Sequence, residues 1–98
     1  MSNSMIEEIQ DRWKRAGYSF FLWHDPPKKN WPVIIHPMDE VVVLLKGKLV
    51  FIVNGEKVNF DINQEVFVPS DSPHSVHNIG NSTNCWCYGY RIKGGNEI

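Results

Sequence analysis

The chain contains 98 residues, enough for one domain with a single core and one small pocket. Hydrophobic residues make up 42% of it and charged residues 21%, which is typical of folded soluble proteins rather than disordered ones. The formal net charge of -1 offers no basic surface to nucleic acid, and no apolar run approaches the roughly 20 residues of a membrane span. The polar start, residues 1–4, is no signal peptide, so we expect a cytoplasmic protein without nucleic-acid or membrane partners.

Residues 1–17 predict an amphipathic helix that packs on the rest of the domain. Ser4 and Glu7 match a capping box, and Gly17 stands where a C-terminal cap belongs. The apolar face either covers the open end of the protein's own core, which we favour, or contacts a partner. Its residues recur at helical spacing: Met5, Ile6, Ile9, Trp13 and Ala16.

From Tyr18 onward the sequence predicts short strands separated by turns. Asn54 and Gly55 form the strongest hairpin signal, because both turn positions require positive φ. We expect a single all-β domain over 18–93, a small antiparallel β-barrel or jelly roll, followed by a flexible tail at 94–98. The predicted strands are 18–23, 33–36, 41–45, 49–53, 57–60, 65–68, 75–79 and 84–91.

Polar side chains of a kind that binds metals occur beside two of these strands. Residues of equal parity share a strand face, so Ile34, His36 and Glu40 point inward together if the strand continues. An imidazole and a carboxylate facing an apolar interior are costly unless a divalent metal or a direct hydrogen bond pairs them. His74 supplies a second histidine at the start of a later strand, and Asn78 shares its face.

The arrangement of these residues resembles the two sequence motifs of the cupin superfamily, over residues 31–91. The resemblance implies a small single-domain cupin of the conserved-barrel type that binds a small molecule. Six positions keep both the residue type and the spacing: His36, Glu40 and Gly47 in the first motif, Pro69, His74 and Asn78 in the second.

The chain also departs from the family pattern at several motif positions. Ile34 replaces the first motif histidine and cannot bind a metal. Three motif glycines are replaced, by Lys28, Asn63 and Asp71. Asn and Asp tolerate positive φ better than other residues, so we expect the turns of the second motif to survive.

The resemblance implies three remaining metal ligands, His36, Glu40 and His74, and a divalent transition metal (Fe, Mn, Ni, Zn or Cu). Two histidines and one carboxylate can be a complete set for non-haem Fe(II) or for catalytic zinc. In the alternative, these residues bind no metal and instead bond to one another or line an organic-ligand pocket. The function is then either that of a metal-dependent enzyme on a small substrate or that of a non-catalytic ligand-binding or sensor module.

The last strand carries further candidates. Arg91 shares a strand face with Cys85 and Cys87. It either points inward and holds an anionic substrate or forms a salt bridge at the end of the strand. Tyr88 and Tyr90 would then face the other way, into a second sheet or a subunit interface. The cysteines are expected to be reduced and buried. The pocket is expected to be lined by Ile34, Asn78, Trp31 and Arg91.

Three sets of residues have weaker functional signals. Trp23, Trp31 and Trp86 either line the pocket or pack in the core. The pair 24–25 either overhangs the pocket entrance or, as we favour, belongs to an ordinary loop. His77 is interpreted as a surface residue because its parity differs from that of His74. Apolar runs at 41–45 and 49–53 need cover on their outer side as well. We expect the N-terminal helix to cover part of it and a second subunit, in a homodimer, to cover the rest.

Overall fold

The structure is a computed structural model that describes residues 3–92, so the predicted tail at 94–98 lies outside the described residues. Within 3–92 the chain forms one helix and eight strands, and the helix is too short and polar to cross a membrane. The bounds are α1 Asn3–Arg15, β1 Phe21–Asp25, β2 Asn30–Ile34, β3 Glu40–Lys46, β4 Leu49–Val53, β5 Glu56–Asn59, β6 Glu65–Val68, β7 His74–Asn78 and β8 Asn84–Tyr90.

The strands form two four-stranded sheets packed face to face. Their orders are β1-β8-β3-β6 and β2-β7-β4-β5, and all neighbouring strands within each sheet pair antiparallel. The prediction of an all-β jelly roll with one helix is confirmed. Strands β1 and β2 form one edge of each sheet, and both lie displaced by about three residues from the predicted ranges. Strand β2 includes Pro32, which an edge position tolerates because one side of the strand has no neighbour to bond.

The main core lies between the two sheets. Alternate residues of β3 and β4, such as Val42 and Phe51, point into it and are fully buried. Trp31, Val66 and Tyr88 pack against this core and are partly buried. The buried members are Val42, Leu44, Leu49, Phe51, Phe60, Val68, Val76 and Trp86.

Helix α1 covers the outer face of the β1-β8-β3-β6 sheet, as expected for the apolar run at 41–45, and not the open end of the barrel. Trp13 and Ile9 are buried there, and Nε1 of Trp13 donates a 2.9 Å hydrogen bond to Oε1 of Glu65. The helix begins at Asn3, so Ser4 lies inside the first turn and not at the predicted cap. The sheet residues beneath it are Val41, Val43, Leu45, Cys85 and Cys87.

Both cysteines are free and buried in this second cluster, as predicted. Burial, with a smaller contribution from the neighbouring Cys85 thiol, raises the pKa of Cys87 to about 12. Burial likewise raises the pKa of Cys85. Neither thiol is therefore suited to act as a nucleophile or as a thiolate ligand near neutral pH.

The turns adopt the backbone conformations that the sequence predicted. Asn54 and Gly55 both have positive φ, at 51° and 83°. Asn63 and Asp71, which replace motif glycines, also adopt positive φ, at 69° and 59°. Lys28 does so as well, at 63°, although lysine lacks the local hydrogen bonding that makes this region accessible to Asn and Asp. The residues that replace these motif glycines thus adopt the positive φ that a glycine readily tolerates.

Candidate metal centre

Three elements bring His36, Glu40 and His74 together. Glu40 is the first residue of β3 and His74 the first residue of β7, while His36 lies in the segment between β2 and β3. We expected these side chains to share the face of one continuous strand. The segment that carries His36 instead leaves the sheet. The backbone N–H of Asp71 donates a 2.7 Å hydrogen bond to the carbonyl of His36 and anchors the segment.

The two imidazoles face the same carboxylate oxygen. Nε2 of His74 lies 3.3 Å from Oε1 of Glu40, and Nδ1 of His36 lies 3.7 Å from it. One potential ligand atom from each residue lies within 4.8 Å of the other two. Glu40 and His74 are almost fully buried, and His36 is half-buried. The donor set is that of a two-histidine, one-carboxylate metal site.

Oε1 of Glu40 is buried and, among the residues that the structure describes, has no hydrogen-bond partner. A buried carboxylate oxygen without a partner is costly, and native structures contain few of them. A cation between the carboxylate and the two imidazoles would remove this cost, and a proton on Nε2 of His74, which lies 3.3 Å from Oε1, would reduce it. The residues present therefore fit the metal that their motif positions imply.

The ring of His74 is held in the orientation that a metal ligand needs. Its Nδ1 lies 2.9 Å from the backbone carbonyl of Ser72. A carbonyl can only accept, so Nδ1 carries the hydrogen and donates it. In the neutral ring, Nε2 then has a free lone pair directed toward Glu40. Such a bond to the second nitrogen is the usual means of orienting a metal-binding histidine.

His36 is oriented by Tyr90 on the opposite side of its ring. The hydroxyl of Tyr90 lies 3.1 Å from Nε2 of His36, and this leaves Nδ1 facing Glu40. When Nε2–H donates to the tyrosine oxygen, Nδ1 has its lone pair free for a cation. The rings of Tyr90 and His36 also meet edge to face, with centroids 4.7 Å apart.

Burial and the Glu40 carboxylate shift the titrations of the surrounding groups. The Glu40 carboxylate raises the pKa of His74, chiefly because a protonated Nε2 donates a hydrogen bond to it, and this outweighs the opposing effect of burial. Burial lowers the pKa of His36, although Glu40 partly opposes the shift. Burial raises the pKa of both Tyr88 and Tyr90, and the carboxylate adds to each shift. Both tyrosines are therefore neutral hydrogen-bonding groups at physiological pH.

The three residues line a cavity of about 270 Å³ between the sheets. Its walls are otherwise apolar or aromatic, so the polar groups are concentrated where His36, Glu40 and His74 meet. Ile34 and Trp31 lie in its wall, where we expected them. The other wall residues are Trp23, Pro32, Val33, Val76, Trp86, Tyr88 and Tyr90.

Asn78 does not line this cavity, contrary to our expectation. It is buried at the far end of β7, where its side-chain amide donates to the carbonyls of Asp25, Pro26 and Ser82. Its Oδ1 accepts a 2.9 Å hydrogen bond from the N–H of Gly80. Asn78 therefore ties together the chain segments next to the site instead of touching a ligand.

Arg91 also lies outside the cavity, because the two faces of β8 are oriented opposite to our expectation. Cys85 and Cys87 face helix α1, whereas Tyr88 and Tyr90 face the space between the sheets. Arg91 is exposed, and its guanidinium lies over the ring of Tyr18 at 5.8 Å from the centroid. It cannot bind a ligand in the cavity from there.

Sequence reasoning missed Asp25, which ends β1 and is completely buried. Its carboxylate accepts hydrogen bonds from the indole N–H groups of three tryptophans, all of which line the cavity. A single aspartate before two prolines gives no sequence signal of this role. Trp23 and Trp31 are two and six residues away, but nothing in the sequence shows that their indoles turn toward Asp25 or that Trp86, 61 residues away, joins them. The bonds are Trp23 to Oδ1 at 3.0 Å, Trp31 to Oδ1 at 2.6 Å and Trp86 to Oδ2 at 2.6 Å.

The other two histidines stand apart from the centre. His77 bonds to the hydroxyl of Ser75 at 2.9 Å and to Oδ1 of Asn30 at 2.8 Å, on the side of β7 that faces away from the cavity. His24 is exposed in β1.

Several solved structures share this fold. The cupin domain of Cnp3 from Schizosaccharomyces pombe matches with a TM-score of 0.73 and 19% identity, over 80% of this chain and 58% of that one. Salicylate 1,2-dioxygenase from Pseudaminobacter salicylatoxidans matches with a TM-score of 0.71 and 17% identity, over 76% and 22%. A predicted oxalate decarboxylase from Thermotoga maritima matches with a TM-score of 0.70 and 22% identity, over 86% and 74%.

The present chain thus spans little more than half of the first of these structures and about a fifth of the second. Comparison with curated proteins finds no significant sequence match. The family model described as "Cupin domain" matches residues 21–87, more than half of the chain. Together with the two-sheet fold, this match shows that the chain belongs to the cupin superfamily.

Proposed function

We propose that this cupin binds one divalent transition metal through His36, Glu40 and His74. The observation that carries the proposal is the buried Oε1 of Glu40, which faces both imidazoles and has no hydrogen-bond partner among residues 3–92. Fe, Mn, Ni, Zn and Cu all accept such a donor set. When bound, the metal would supply Lewis acidity or oxygen activation.

We further propose that the protein is an enzyme acting on a small molecule held in the cavity. Three protein ligands leave coordination positions for a substrate or water, and Ile34 in the wall keeps the position of the missing histidine apolar. The walls beside the three ligands are mainly apolar and aromatic, and the neutral hydroxyl of Tyr90 offers a hydrogen bond near the centre. Two of the similar structures are named as a salicylate 1,2-dioxygenase and a predicted oxalate decarboxylase, and both names refer to small organic acids.

A metal-free binding or sensor module is the second candidate function. Two observations favour it: Ile34 stands in place of a ligand, and the carboxylate of Glu40 raises the pKa of His74. A protonated His74 would partly neutralise Glu40 without any metal. The cavity would then bind an organic ligand that needs no coordination by a metal.

A cytoplasmic location and a homodimer also remain predictions.

Metal analysis of the purified protein separates the two candidates. We expect close to one equivalent of a transition metal per chain in untagged protein that has not met a chelator. His36→Ala and His74→Ala should each lose it while remaining folded, as judged by circular dichroism. His77→Ala is the matched control, because His77 lies on the other side of β7, and it should keep the metal.

Equal metal content in all four proteins would contradict the assignment of these ligands. Lack of metal that persists after anaerobic reconstitution would favour the binding module. In that case the three residues would be polar groups in the wall of an organic-ligand pocket.

A further inference from the structure

Asp25 joins both sheets at one end of the cavity. Its three indole donors come from different strands: Trp23 in β1, Trp31 in β2 and Trp86 in β8. Strand β2 belongs to one sheet, and β1 and β8 belong to the other. The carboxylate is fully buried, and a buried charge is tolerated only where strong hydrogen bonds satisfy it.

These bonds fix the orientation of the three indole rings. An indole has one N–H group, so bonding it to an immobile carboxylate limits rotation of the ring about its side-chain torsions. The main chain of Asp25 is held in turn, since its carbonyl accepts a 3.2 Å hydrogen bond from Asn78. The tryptophan wall (Trp23, Trp31 and Trp86) is therefore in place before any ligand arrives.

The tryptophan wall and its neighbours present both faces and edges of aromatic rings. Trp23 and Trp31 meet edge to face with centroids 5.8 Å apart. Trp86 and Tyr88 are tilted by 45° with centroids 5.3 Å apart. Aromatic rings pack on one another in stacked or edge-to-face arrangements of this kind, and a flat ring entering the cavity can form them.

We infer that the cavity selects a ligand with a flat aromatic ring, which packs on the tryptophan wall, and that Asp25 is the positioning residue for this selection. The inference rests on the proposed function, because the metal at His36, Glu40 and His74 would bind an anionic group carried by the same ring. The cavity volume of about 270 Å³ is adequate. An apolar protein cavity of roughly 150 Å³ already holds benzene.

The selection is for aromatic character and not only for hydrophobic size. A saturated ring of similar size buries a similar apolar area but lacks the charge distribution that attracts one aromatic ring to another. We therefore expect an aromatic probe to bind more tightly than its saturated counterpart by about three- to tenfold.

Benzoate and cyclohexanecarboxylate are a matched pair of probes for this test. They carry the same charge and differ in the flatness and aromaticity of the ring. Their affinities are measured by isothermal titration calorimetry on the zinc-loaded and the metal-free protein, with tryptophan fluorescence as a second readout. We expect benzoate to bind more tightly and to quench the fluorescence.

Two variants and a control test the role of Asp25 and the wall. Asp25→Asn places an amide N–H₂ among the indole donors. The ratio of the affinity for benzoate to that for cyclohexanecarboxylate should therefore fall toward one, and the tryptophan emission should shift. Asp61→Asn is the same chemical change at an exposed position and should keep the full preference. Trp31→Leu retains apolar bulk but removes a flat ring, and it decides the question if Asp25→Asn does not fold.

The outcomes separate this inference from the metal proposal. Zinc binding without a preference for benzoate overturns the aromatic selection and leaves the metal site intact. A preference for benzoate in a protein that binds no zinc supports the wall and contradicts the metal site. Three further outcomes overturn the inference. The first is failure to bind either probe, and the second is an undiminished preference for benzoate in Trp31→Leu. The third is tighter binding of the cationic probe tetramethylammonium than of benzoate. An undiminished preference in folded Asp25→Asn overturns the positioning role.

Discussion

Oε1 of Glu40 lies 3.3 Å from Nε2 of His74, and both side chains are almost completely buried between the two sheets. Ser72 holds the opposite nitrogen of the imidazole, so this separation is set by the backbone and not by chance contact of two mobile side chains. Both groups face a cavity with mainly apolar walls. When the carboxylate is removed, the affinity for a metal should therefore fall, whereas the unfolding free energy of the metal-free protein should not.

Glu40→Gln tests that relationship directly. We expect zinc affinity to fall by more than about 100-fold, because an amide oxygen is a weaker ligand than a carboxylate. The unfolding free energy of the chelated protein at pH 8 should stay level or rise, since a neutral amide costs less to bury than an unpartnered carboxylate. Calorimetric titration and chemical denaturation measure the two quantities.

Glu56→Gln, the same change at an exposed position of β5, should alter neither quantity. A Glu40→Gln protein that binds zinc as tightly as the native chain would remove Glu40 from the ligand set.

Restoring the missing ligand should strengthen the site. Ile34 pairs with His74 in the register of β2 and β7, and it lies in the cavity wall. Ile34→His should tighten zinc binding by at least about tenfold, because it completes a set of four protein ligands. Ile35→His is the control: the neighbouring residue is 59% exposed and should give no gain. Equal affinities in the two variants would show that the side chain at 34 does not reach the metal.

Gly89 is required where β8 passes the segment before β1. A Cβ there would lie 2.0 Å from the carbonyl oxygen of Ser19 and 3.1 Å from the ring of Trp13. Gly89→Ala should therefore lower the unfolding free energy by more than about 2 kcal/mol, since a backbone atom must move. At Gly80 the nearest atom would lie 3.4 Å away, so Gly80→Ala should change stability by less than about 1 kcal/mol. Similar losses in urea denaturation of both variants would contradict this explanation.

The contact between helix and sheet at Glu65 should depend on pH. Burial opposes ionisation of this carboxyl, but hydrogen bonds from Trp13 and Arg12 outweigh it and lower its pKa below the ordinary value. A carboxyl whose pKa is lower in the folded state than in the unfolded state stabilises the protein at pH values above its unfolded-state pKa. This stabilisation is lost as the pH falls through the folded-state pKa. Because Glu65 is partly exposed, the gain should be below about 1 kcal/mol.

Comparison of Glu65→Gln with the native chain in denaturation experiments from pH 7 to pH 3 measures this contribution. The difference in stability between the two proteins should be larger at pH 7 than at pH 3. A difference that is constant across this range would show that the charge of Glu65 does not contribute.

Local sequence determined the strands and turns of this protein well. Asn54 and Gly55 select a hairpin by their tolerance of positive φ, and Asn63 and Asp71 replace glycines for the same reason. Strands β1 and β2 are displaced from their predicted ranges because their limits depend on pairing with β8 and β7, which are distant along the chain. The candidate ligands His36, Glu40 and His74 were identified from motif spacing, which reflects the fold of a whole family.

The sequence by itself thus determined the all-β class, the helix and the short list of candidate ligands, because these follow from periodicity, turn chemistry and spacing. Only the tertiary structure decided which face of β8 lies inside. Strand alternation places Tyr90 and Arg91 on opposite faces, but it is the packing of helix α1 that determines which of the two faces is outer. It also decided the role of Asp25. A carboxylate shared by indoles from three strands exists only after two sheets have packed together, since Trp31 lies in the other sheet and Trp86 is 61 residues away, although Trp23 is a local neighbour.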